Sequence, residues 1–217
     1  MKIDKNSYGS IALVYSLSAV AAFLILFFCN ILAVKLLVLI FLIAFCIWQT
    51  AFFRVPVREK AGSDKVVSSV ADGSIVIVDK VYEPECLKSE CIQVSIYMDF
   101  WDVHANFWPM TGEVTYSNYH PGKHFLAFKP KASLENEHTC TCVRNNYGQD
   151  VFFKQLAGGF ARRIVSYATE GLGTKAGEQC GIIKFGSRID MFLPVDAKIC
   201  VNVGDKVRAC ETVIAEL

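Results

Sequence analysis

The sequence lacks an excess of charge of either sign. Its 217 residues include 22 Lys and Arg against 21 Asp and Glu, a formal net charge of +1 at pH 7. Nucleic-acid-binding domains usually carry a clustered basic surface, and no stretch of this chain interleaves basic with aromatic residues. We therefore expect no nucleic-acid partner.

The sequence also lacks a recognisable cysteine framework. Its nine cysteines are odd in number and scattered along the chain. The close pairs, Cys86 with Cys91 and Cys140 with Cys142, do not have the CxxC spacing that is typical of zinc sites. We expect neither a disulfide scaffold nor a metal site.

Apolar residues are abundant and concentrated at one end. They make up 53% of the chain, and the mean hydropathy is +0.35. In residues 11–48 the exceptions are Ser16, Ser18, Asn30 and Lys35. Such a run is too apolar for a soluble domain, so it predicts a membrane segment.

The apolar run is too long for one membrane span. As a single helix its 38 residues would extend about 57 Å, whereas the hydrocarbon core is about 30 Å thick. Asn30 divides it, and we predict a helical hairpin of Ile11–Phe28 and Ile31–Trp48 that crosses the bilayer or dips into one leaflet. Basic residues flank both ends, namely Lys2, Lys5, Arg54, Arg58 and Lys60. The positive-inside rule then predicts a cell-membrane protein whose remaining chain lies on the cytoplasmic side. The alternative is one long tilted helix with the domain outside.

The remainder predicts a mainly β (α+β) domain. We place the boundary between an N-terminal hairpin with its exit segment, residues 1–54, and a β domain, residues 55–217. Strand-like runs alternate with turn sequences; they are Val66–Val81 with a turn at Asp72-Gly73, Ile92–Met98, Gly112–Tyr116, Phe125–Phe128, Thr139–Arg144 and Asp150–Leu156. One segment, Leu156–Ala168, has apolar residues at helical spacing and predicts a helix.

The C-terminal tail has the pattern of a small barrel. Val201–Val207 and Glu211–Ala215 alternate like strands and join through a Gly-Asp-Lys turn. They resemble the second half of a lipoyl or biotinyl hammerhead barrel, and Ser68–Ile75 resembles its first strand, so we expect a split barrel built from distant parts of the domain. Lys80 and Lys184 lack the tight-hairpin setting of a carrier lysine, which argues against a carrier.

Gly186-Ser187 lies between two apolar, strand-like runs. Alone, the dipeptide indicates only a turn. Other segments accompany it in a fixed order, namely Phe52–Arg58, Val70–Gly73, Trp101–Asn106 and Asn136-Glu137. Together they resemble, over nearly the whole chain, the short archaeal-type form of the phosphatidylserine decarboxylase family, which also occurs in bacteria.

The resemblance implies a self-processing enzyme with a covalent pyruvoyl cofactor. The Ser187 hydroxyl would attack the Gly186 carbonyl, and cleavage would give a large chain (1–186) and a small chain (187–217) headed by the pyruvoyl group. The ketone would form a Schiff base with phosphatidylserine, releasing carbon dioxide and phosphatidylethanolamine. The implied partners are a phospholipid, the membrane and the two chains of one precursor, and a homo-oligomer is left open.

The resemblance also assigns catalytic residues. His104 matches the family's catalytic histidine and would activate Ser187 as a base. Asp72, in the family's Asp-Gly position, would orient the imidazole and stabilise its charged form.

Two departures limit the transfer of further roles. Phe185 and Arg188 flank Gly-Ser where the larger bacterial form has Leu-Gly-Ser-Thr, and Trp101 replaces an earlier histidine of the bacterial pattern. Substrate-binding residues therefore stay unassigned, including Arg188 as a phosphate partner. The other histidines are expected to be surface or structural residues; they are His120, His124 and His138.

Two other functions stay open at this point. A noncatalytic membrane-anchored adaptor also joins an apolar segment to a split lipoyl-like barrel, although residues 75–195 lack the heptads of its coiled coil. The same pyruvoyl chemistry could also serve another substrate that carries an amino acid.

Overall fold

A computed structural model describes residues 2–63, 65–123, 125, 135–159, 163–184 and 187–217. The chain divides into two compact units, Met1–Pro56 and Val57–Leu217. The division falls two residues after the boundary expected from the sequence.

The first unit is a pair of apolar helices. Its elements are β1 (Lys2–Ile3), a 3-10 helix (Lys5–Ser7), α1 (Tyr8–Phe28), α2 (Leu32–Phe52) and β2 (Arg54–Val55), with β1 antiparallel to β2. Both α1 and α2 are long and apolar enough to cross a membrane. The predicted break at Asn30 is confirmed, because the residue lies between the two helices.

Polar contacts join the two helices at their open end. The Tyr15 and Thr50 hydroxyls are 3.0 Å apart, and the Gln49 amide nitrogen donates to the Ser10 carbonyl at 3.2 Å. Further along, large apolar side chains point outward, as with Phe27 at 70% exposure. A helical pair with an apolar exterior and polar contacts near its end suits a lipid environment.

The second unit is built from antiparallel strands. Its strands are β3 (Val66–Ser68), β4 (Gly73–Glu83), β5 (Ser89–Met98), β6 (Ala105–Phe107), β7 (Gly112–His120), β8 (His138–Arg144), β9 (Asp150–Ala157), β10 (Arg163–Ser166), β11 (Gly173–Thr174), β12 (Gln179–Lys184), β13 (Ser187–Pro194), β14 (Lys198–Ile199), β15 (Lys206–Val207) and β16 (Val213–Glu216). Within the described part of this unit, they form an eight-stranded sheet, β11-β7-β8-β9-β13-β5-β4-β15, and two three-stranded sheets, β10-β12-β6 and β14-β16-β3. The mainly β class is confirmed.

The eight-stranded sheet has an apolar face and a mixed face. Because side chains alternate along a strand, Ile189 and Met191 of β13 pack into the main core with Val94 and Ile96 of β5. The second face carries a smaller cluster of Cys91, Cys140, Cys142, Phe152 and Phe192, together with charged side chains. Ser187 lies on the apolar face, and Cys140 lies on the mixed face.

Two strands from the tail return to the start of the domain. Antiparallel pairs join β16 to β3 and β15 to β4, so segments distant in sequence share sheets. Gly73, the first residue of β4, is required there, since a Cβ atom would lie 2.2 Å from the Tyr97 carbonyl oxygen.

The helix predicted over Leu156–Ala168 is wrong. Strand β9 continues to Ala157, and Arg163–Ser166 forms β10, where Ile164 pairs with Ile183 of β12. Pairing with β12 supplies hydrogen bonds that apolar spacing alone does not reveal. Of the strand expected over Phe125–Phe128, residues 126–128 lie outside the described residues.

Candidate active site

Ser187 begins the strand at the centre of the site. It pairs with Met98 of β5 on one side and Ala157 of β9 on the other. Its side chain is fully buried, and its hydroxyl has no hydrogen-bond partner among the described residues. A buried polar group without a partner costs about 1–3 kcal/mol, so it calls for an explanation, and a catalytic role is one. The preceding Phe185 and Gly186 lie outside the described residues.

His104 is buried beside the strand that leads to Ser187. Its carbonyl accepts a hydrogen bond from the amide of Ile183 in β12 at 3.3 Å. Its ring Nδ1 lies 3.1 Å from the Asp102 carbonyl oxygen. Because a carbonyl can only accept, Nδ1 carries a proton, and Nε2 is the basic nitrogen of the neutral ring.

Asp72 is held by an arginine that the sequence analysis did not assign to the site. The Asp72 carboxylate accepts from both terminal nitrogens of Arg58, with Nη2 at 2.7 Å, and from the amide of Ala209 at 2.8 Å. Burial lowers the pKa of the Arg58 guanidinium, but the hydrogen bonds and charge of Asp72 outweigh it and leave that pKa raised. The described contacts thus fix Asp72 through a buried ion pair.

The strand register brings these segments to one end of the large sheet. Ser74, Tyr97 and Arg188 lie side by side on β4, β5 and β13. Strands β4 and β13 therefore flank the end of β5 on opposite sides, about 10 Å apart at two strand spacings, with Asp72 just before β4 and Ser187 at the start of β13. The segment that carries His104 leaves from this same end.

Electrostatics also link Asp72 to the His104 segment. Burial raises the pKa of the Asp102 carboxyl, a hydrogen bond to the Asp99 backbone and the charge of Lys206 lower it, and the charges of Asp99 and Asp72 raise it; the pKa stays above its usual value. Of these influences on the Asp102 carboxyl, that of Asp72 is the smallest.

The sequence did not predict a buried pair of side-chain amides near Ser187, formed by Gln155 and Asn106. The Gln155 amide nitrogen donates to Asn106 Oδ1 at 2.8 Å, and the Thr139 hydroxyl donates to Gln155 Oε1 at 2.8 Å. Gln155 pairs with Ile189, two residues after Ser187 and on the same face. The one sequence signal for this pair was Gln155, a polar residue at a core-facing position of the largely apolar strand β9.

Asn136, part of a motif that carried the resemblance, supports the strand beside Ser187. Its amide nitrogen donates to the carbonyls of Ala157 at 2.7 Å and Phe125 at 2.8 Å. Its Oδ1 accepts from the Phe125 amide at 2.9 Å. Since Ala157 is the β9 partner of Ser187, the Asn136 side chain joins Phe125 to the edge of the site.

Arg188 points to the opposite face from Ser187. Its Nε donates to Asp190 at 2.6 Å and its Nη2 to the Ser95 hydroxyl at 3.0 Å, and both charged side chains are fully buried or nearly so. Arg188 lines a cleft of about 320 Å³ on the second face, together with Lys154. These contacts give Arg188 a structural partner and do not support a phosphate contact on the Ser187 side.

The remaining sequence-predicted residues lie outside this group. Trp101 is 75% exposed at a turn near His104. His138 is buried and its ring stacks on that of the half-exposed His120 with centroids 4.7 Å apart. His124 lies outside the described residues.

Comparison with known proteins matches the sequence to the phosphatidylserine decarboxylase family. The sequence model of phosphatidylserine decarboxylase matches residues 45–215. The chain is 39% identical to a phosphatidylserine decarboxylase proenzyme of Cytophaga hutchinsonii over 100% of this chain and 99% of that protein. It is 43% identical to the corresponding proenzyme of Amoebophilus asiaticus, over 79% of this chain and 76% of that protein. A proenzyme of Nitrosomonas europaea is 44% identical, over 76% of each chain.

These matches identify a decarboxylase, that is a carboxy-lyase, and do not support a noncatalytic adaptor. The chain belongs to the phosphatidylserine decarboxylase family. The resemblance inferred from the sequence motifs is confirmed.

Proposed function

We propose that this protein converts phosphatidylserine to phosphatidylethanolamine and carbon dioxide, using a pyruvoyl group made by cleavage between Gly186 and Ser187. The observation that carries the proposal is the Ser187 hydroxyl. It is buried, has no hydrogen-bond partner in the described part of the chain, and begins a central strand. The relatives are named as proenzymes, which agrees with a precursor that is processed.

The cleavage uses only atoms of the chain and water. The Ser187 hydroxyl loses its proton as Oγ bonds to the Gly186 carbonyl carbon, and the peptide nitrogen leaves as the amine, which gives an ester. Loss of the Ser187 α-proton then expels the Gly186 carboxylate and forms dehydroalanine at position 187. Tautomerisation and addition of water release ammonia and leave a ketone at the head of residues 187–217.

His104 is the base that this sequence of steps needs. Its Nδ1 proton is directed to the Asp102 carbonyl, so Nε2 can accept the Ser187 hydroxyl proton. Asp72 has the role of orienting and stabilising the protonated ring, supported by the place of its segment at the same sheet end as Ser187.

The surroundings of Ser187 fit a reactive group that is shielded from bulk solvent. Burial excludes solvent, and pairing with both Met98 and Ala157 would hold the new terminus after the peptide bond is lost. The pyruvoyl group supplies an electrophilic ketone that takes up the substrate amine and draws the electron pair released by the departing carboxylate. After cleavage His104 no longer serves as the base for Ser187, and it would then donate a proton to the carbon that loses carbon dioxide.

The helical pair has the role of a membrane anchor in this proposal. A diacyl lipid stays in the bilayer, and two apolar helices of 21 residues each would keep the enzyme at the headgroup plane. The flanking basic residues support a cytoplasmic catalytic domain. The pairing of tail strands with β3 and β4 supports a split barrel of the lipoyl-like hammerhead type.

A substrate assay tests the proposed reaction. Detergent-purified protein is given phosphatidylserine vesicles, or free serine at the same concentration, while carbon dioxide and the amine product are measured. We expect phosphatidylethanolamine and an equal amount of carbon dioxide from the vesicles, and neither product with Ser187→Ala. Turnover of free serine at an equal or higher rate would instead indicate a different substrate.

A further inference from the structure

Four side chains with metal-binding atoms converge on the second face of the large sheet. Glu85, His120, His138 and Cys140 each place one ligand atom so that all lie within 4.8 Å of one another. We propose that this cluster is a binding site for a single zinc ion. The proposal does not depend on the decarboxylase reaction.

Strand pairing brings the cluster together from separate parts of the sequence. His120 ends β7 and lies directly opposite His138, which begins β8. Cys140 lies two residues further along β8, so its side chain is on the same face as that of His138. Glu85 lies in the turn after β4. The backbone amides of residues 85–87 in this turn donate hydrogen bonds to the Glu83 carboxylate. The sequence spacing shows none of this, which explains why no metal site was expected.

The contacts within the cluster leave the ligand atoms close together. His120 Nε2 is 2.5 Å from Glu85 Oε1, and Cys140 Sγ is 3.3 Å from Glu85 Oε2. In a tetrahedral zinc site, bonds of 2.0–2.3 Å place the ligand atoms roughly 3.3–3.8 Å apart. The four atoms therefore need only small side-chain adjustments to surround one ion.

The histidine at the buried side of the cluster is oriented as a metal ligand. His138 Nδ1 lies 2.6 Å from the Asn136 carbonyl oxygen. A carbonyl accepts only, so Nδ1 carries the proton and Nε2 presents its lone pair. Metal-binding histidines usually have such a partner on the second ring nitrogen, which fixes the tautomer and the ring orientation.

The donor set and its charge select the kind of ion. One thiolate, two imidazoles and one carboxylate suit zinc, whereas calcium and magnesium prefer oxygen ligands alone. The thiolate and the carboxylate together balance a divalent cation. The surrounding groups already orient Glu85, because the Tyr116 hydroxyl donates to Oε1 at 2.8 Å and Lys154 Nζ to Oε2 at 3.5 Å.

Accessibility allows an ion to enter. Cys140 and His138 are buried, but the His120 side chain is 36% exposed and that of Glu85 is 20% exposed. Bound zinc would join the turn after β4 to strands β7 and β8. We assign it a stabilising role, since Cys140 lies on the opposite sheet face from Ser187.

Metal titration of the full-length protein tests the site. The protein is purified in detergent without a histidine tag, stripped with a chelator, titrated with zinc, and its metal content is measured after gel filtration. We expect one zinc per chain, a higher melting temperature with zinc, and at least tenfold weaker binding in His120→Asn and Cys140→Ser. Cobalt in place of zinc should give a thiolate charge-transfer band that is absent in Cys140→Ser.

The matched control is Cys142→Ser, which alters a buried cysteine on the same strand and face but outside the cluster. It should retain the zinc and the cobalt band. His120→Asn changes a partly exposed side chain, so it tests the site even if Cys140→Ser fails to fold. Failure of the wild type to retain zinc, or full retention by folded His120→Asn, would overturn the proposal.

Discussion

The Ser187 hydroxyl and the His104 ring are buried polar groups at one end of a sheet. Their burial explains how a weakly acidic hydroxyl could react, because a fixed base in a buried site meets little competition from bulk solvent. Arg58 adds a further constraint, since it holds the Asp72 carboxylate on the other side of β5. Each of these side chains can be tested separately.

Replacing His104 or Asp72 should impair processing. We expect His104→Ala to leave most of the protein uncleaved and Asp72→Asn to slow cleavage at least tenfold, measured as the fraction of intact chain against time after synthesis. Asp79→Asn, further along β4, is the matched control and should process normally. Normal cleavage in both site variants would remove these residues from the proposed mechanism.

Folding must be checked in the same variants, because Asp72 also neutralises Arg58. Removing one member of a buried ion pair costs about 3–5 kcal/mol. A melting curve separates slow chemistry from unfolding, and a folded but uncleaved Asp72→Asn protein would support the direct role.

The Arg188–Asp190 pair should be a stability element. Arg188→Met removes the guanidinium that binds the buried Asp190 carboxylate and should destabilise the protein by about 3–5 kcal/mol, whereas the double change Arg188→Met with Asp190→Leu should recover most of that loss. Denaturant unfolding in the uncleaved Ser187→Ala background measures both. Equal destabilisation in the single and double variants would contradict the coupling.

Sequence reasoning found the residues of the site that lie in recognisable motifs. Asp72, His104 and Ser187 were assigned by resemblance, and the structure places their segments at one sheet end. Arg58 and Gln155 were missed because their partners, Asp72 and Asn106, are distant in sequence. Only the fold shows such pairs.

At the level of elements, strand β12 pairs with β10 in a three-stranded sheet and also lies against β9 of the eight-stranded sheet. Gly181 allows the close approach of β10, since a Cβ atom there would lie 2.4 Å from the Val165 carbonyl oxygen and 2.7 Å from the Gln155 amide nitrogen. The strand therefore depends on a glycine beside the buried amide pair.

Gly181→Ala should destabilise the domain by about 1–3 kcal/mol through overpacking. For a protein of this size that corresponds to a fall in melting temperature of roughly 2–12 °C. Gly173→Ala in β11 is the control, because no atom lies within 4 Å of its added Cβ. Equal melting temperatures of the two variants would show that the close approach is relaxed in solution.

The strands were easier to predict than the segment after β9. Strands β5, β8 and β9 were predicted because each is a strand-like run bounded by turn sequences, and β8 and β9 are buried along almost their whole length. Phe160, Ile164 and Tyr167 have helical spacing, yet Ile164 lies in a strand paired with β12. A pairing partner nearly twenty residues away overrides such a local pattern.

At the scale of the molecule, composition already separates the chain into two parts. The 38-residue apolar run predicted the helical pair, because only the bilayer accommodates so much exposed apolar surface. The order of strands in the large sheet could not be predicted, since it depends on contacts between distant segments.

Cysteine labelling tests the proposed orientation. Cys200 is exposed in the second unit, so a membrane-impermeant maleimide should label it in opened membranes and not in intact spheroplasts. The measurement uses a variant with Cys29→Ser and Cys46→Ser, which removes the cysteines of the helical pair. Labelling of Cys200 in intact spheroplasts would place the domain outside.

The intact mass of the purified wild-type protein tests self-cleavage most directly. Of the 24.2 kDa chain, residues 187–217 should appear as a separate polypeptide of about 3.5 kDa, close to one seventh of the total. Its mass should match a pyruvoyl terminus in place of serine, and Ser187→Ala should give only the intact chain. A single uncleaved wild-type chain in an active preparation would contradict the account.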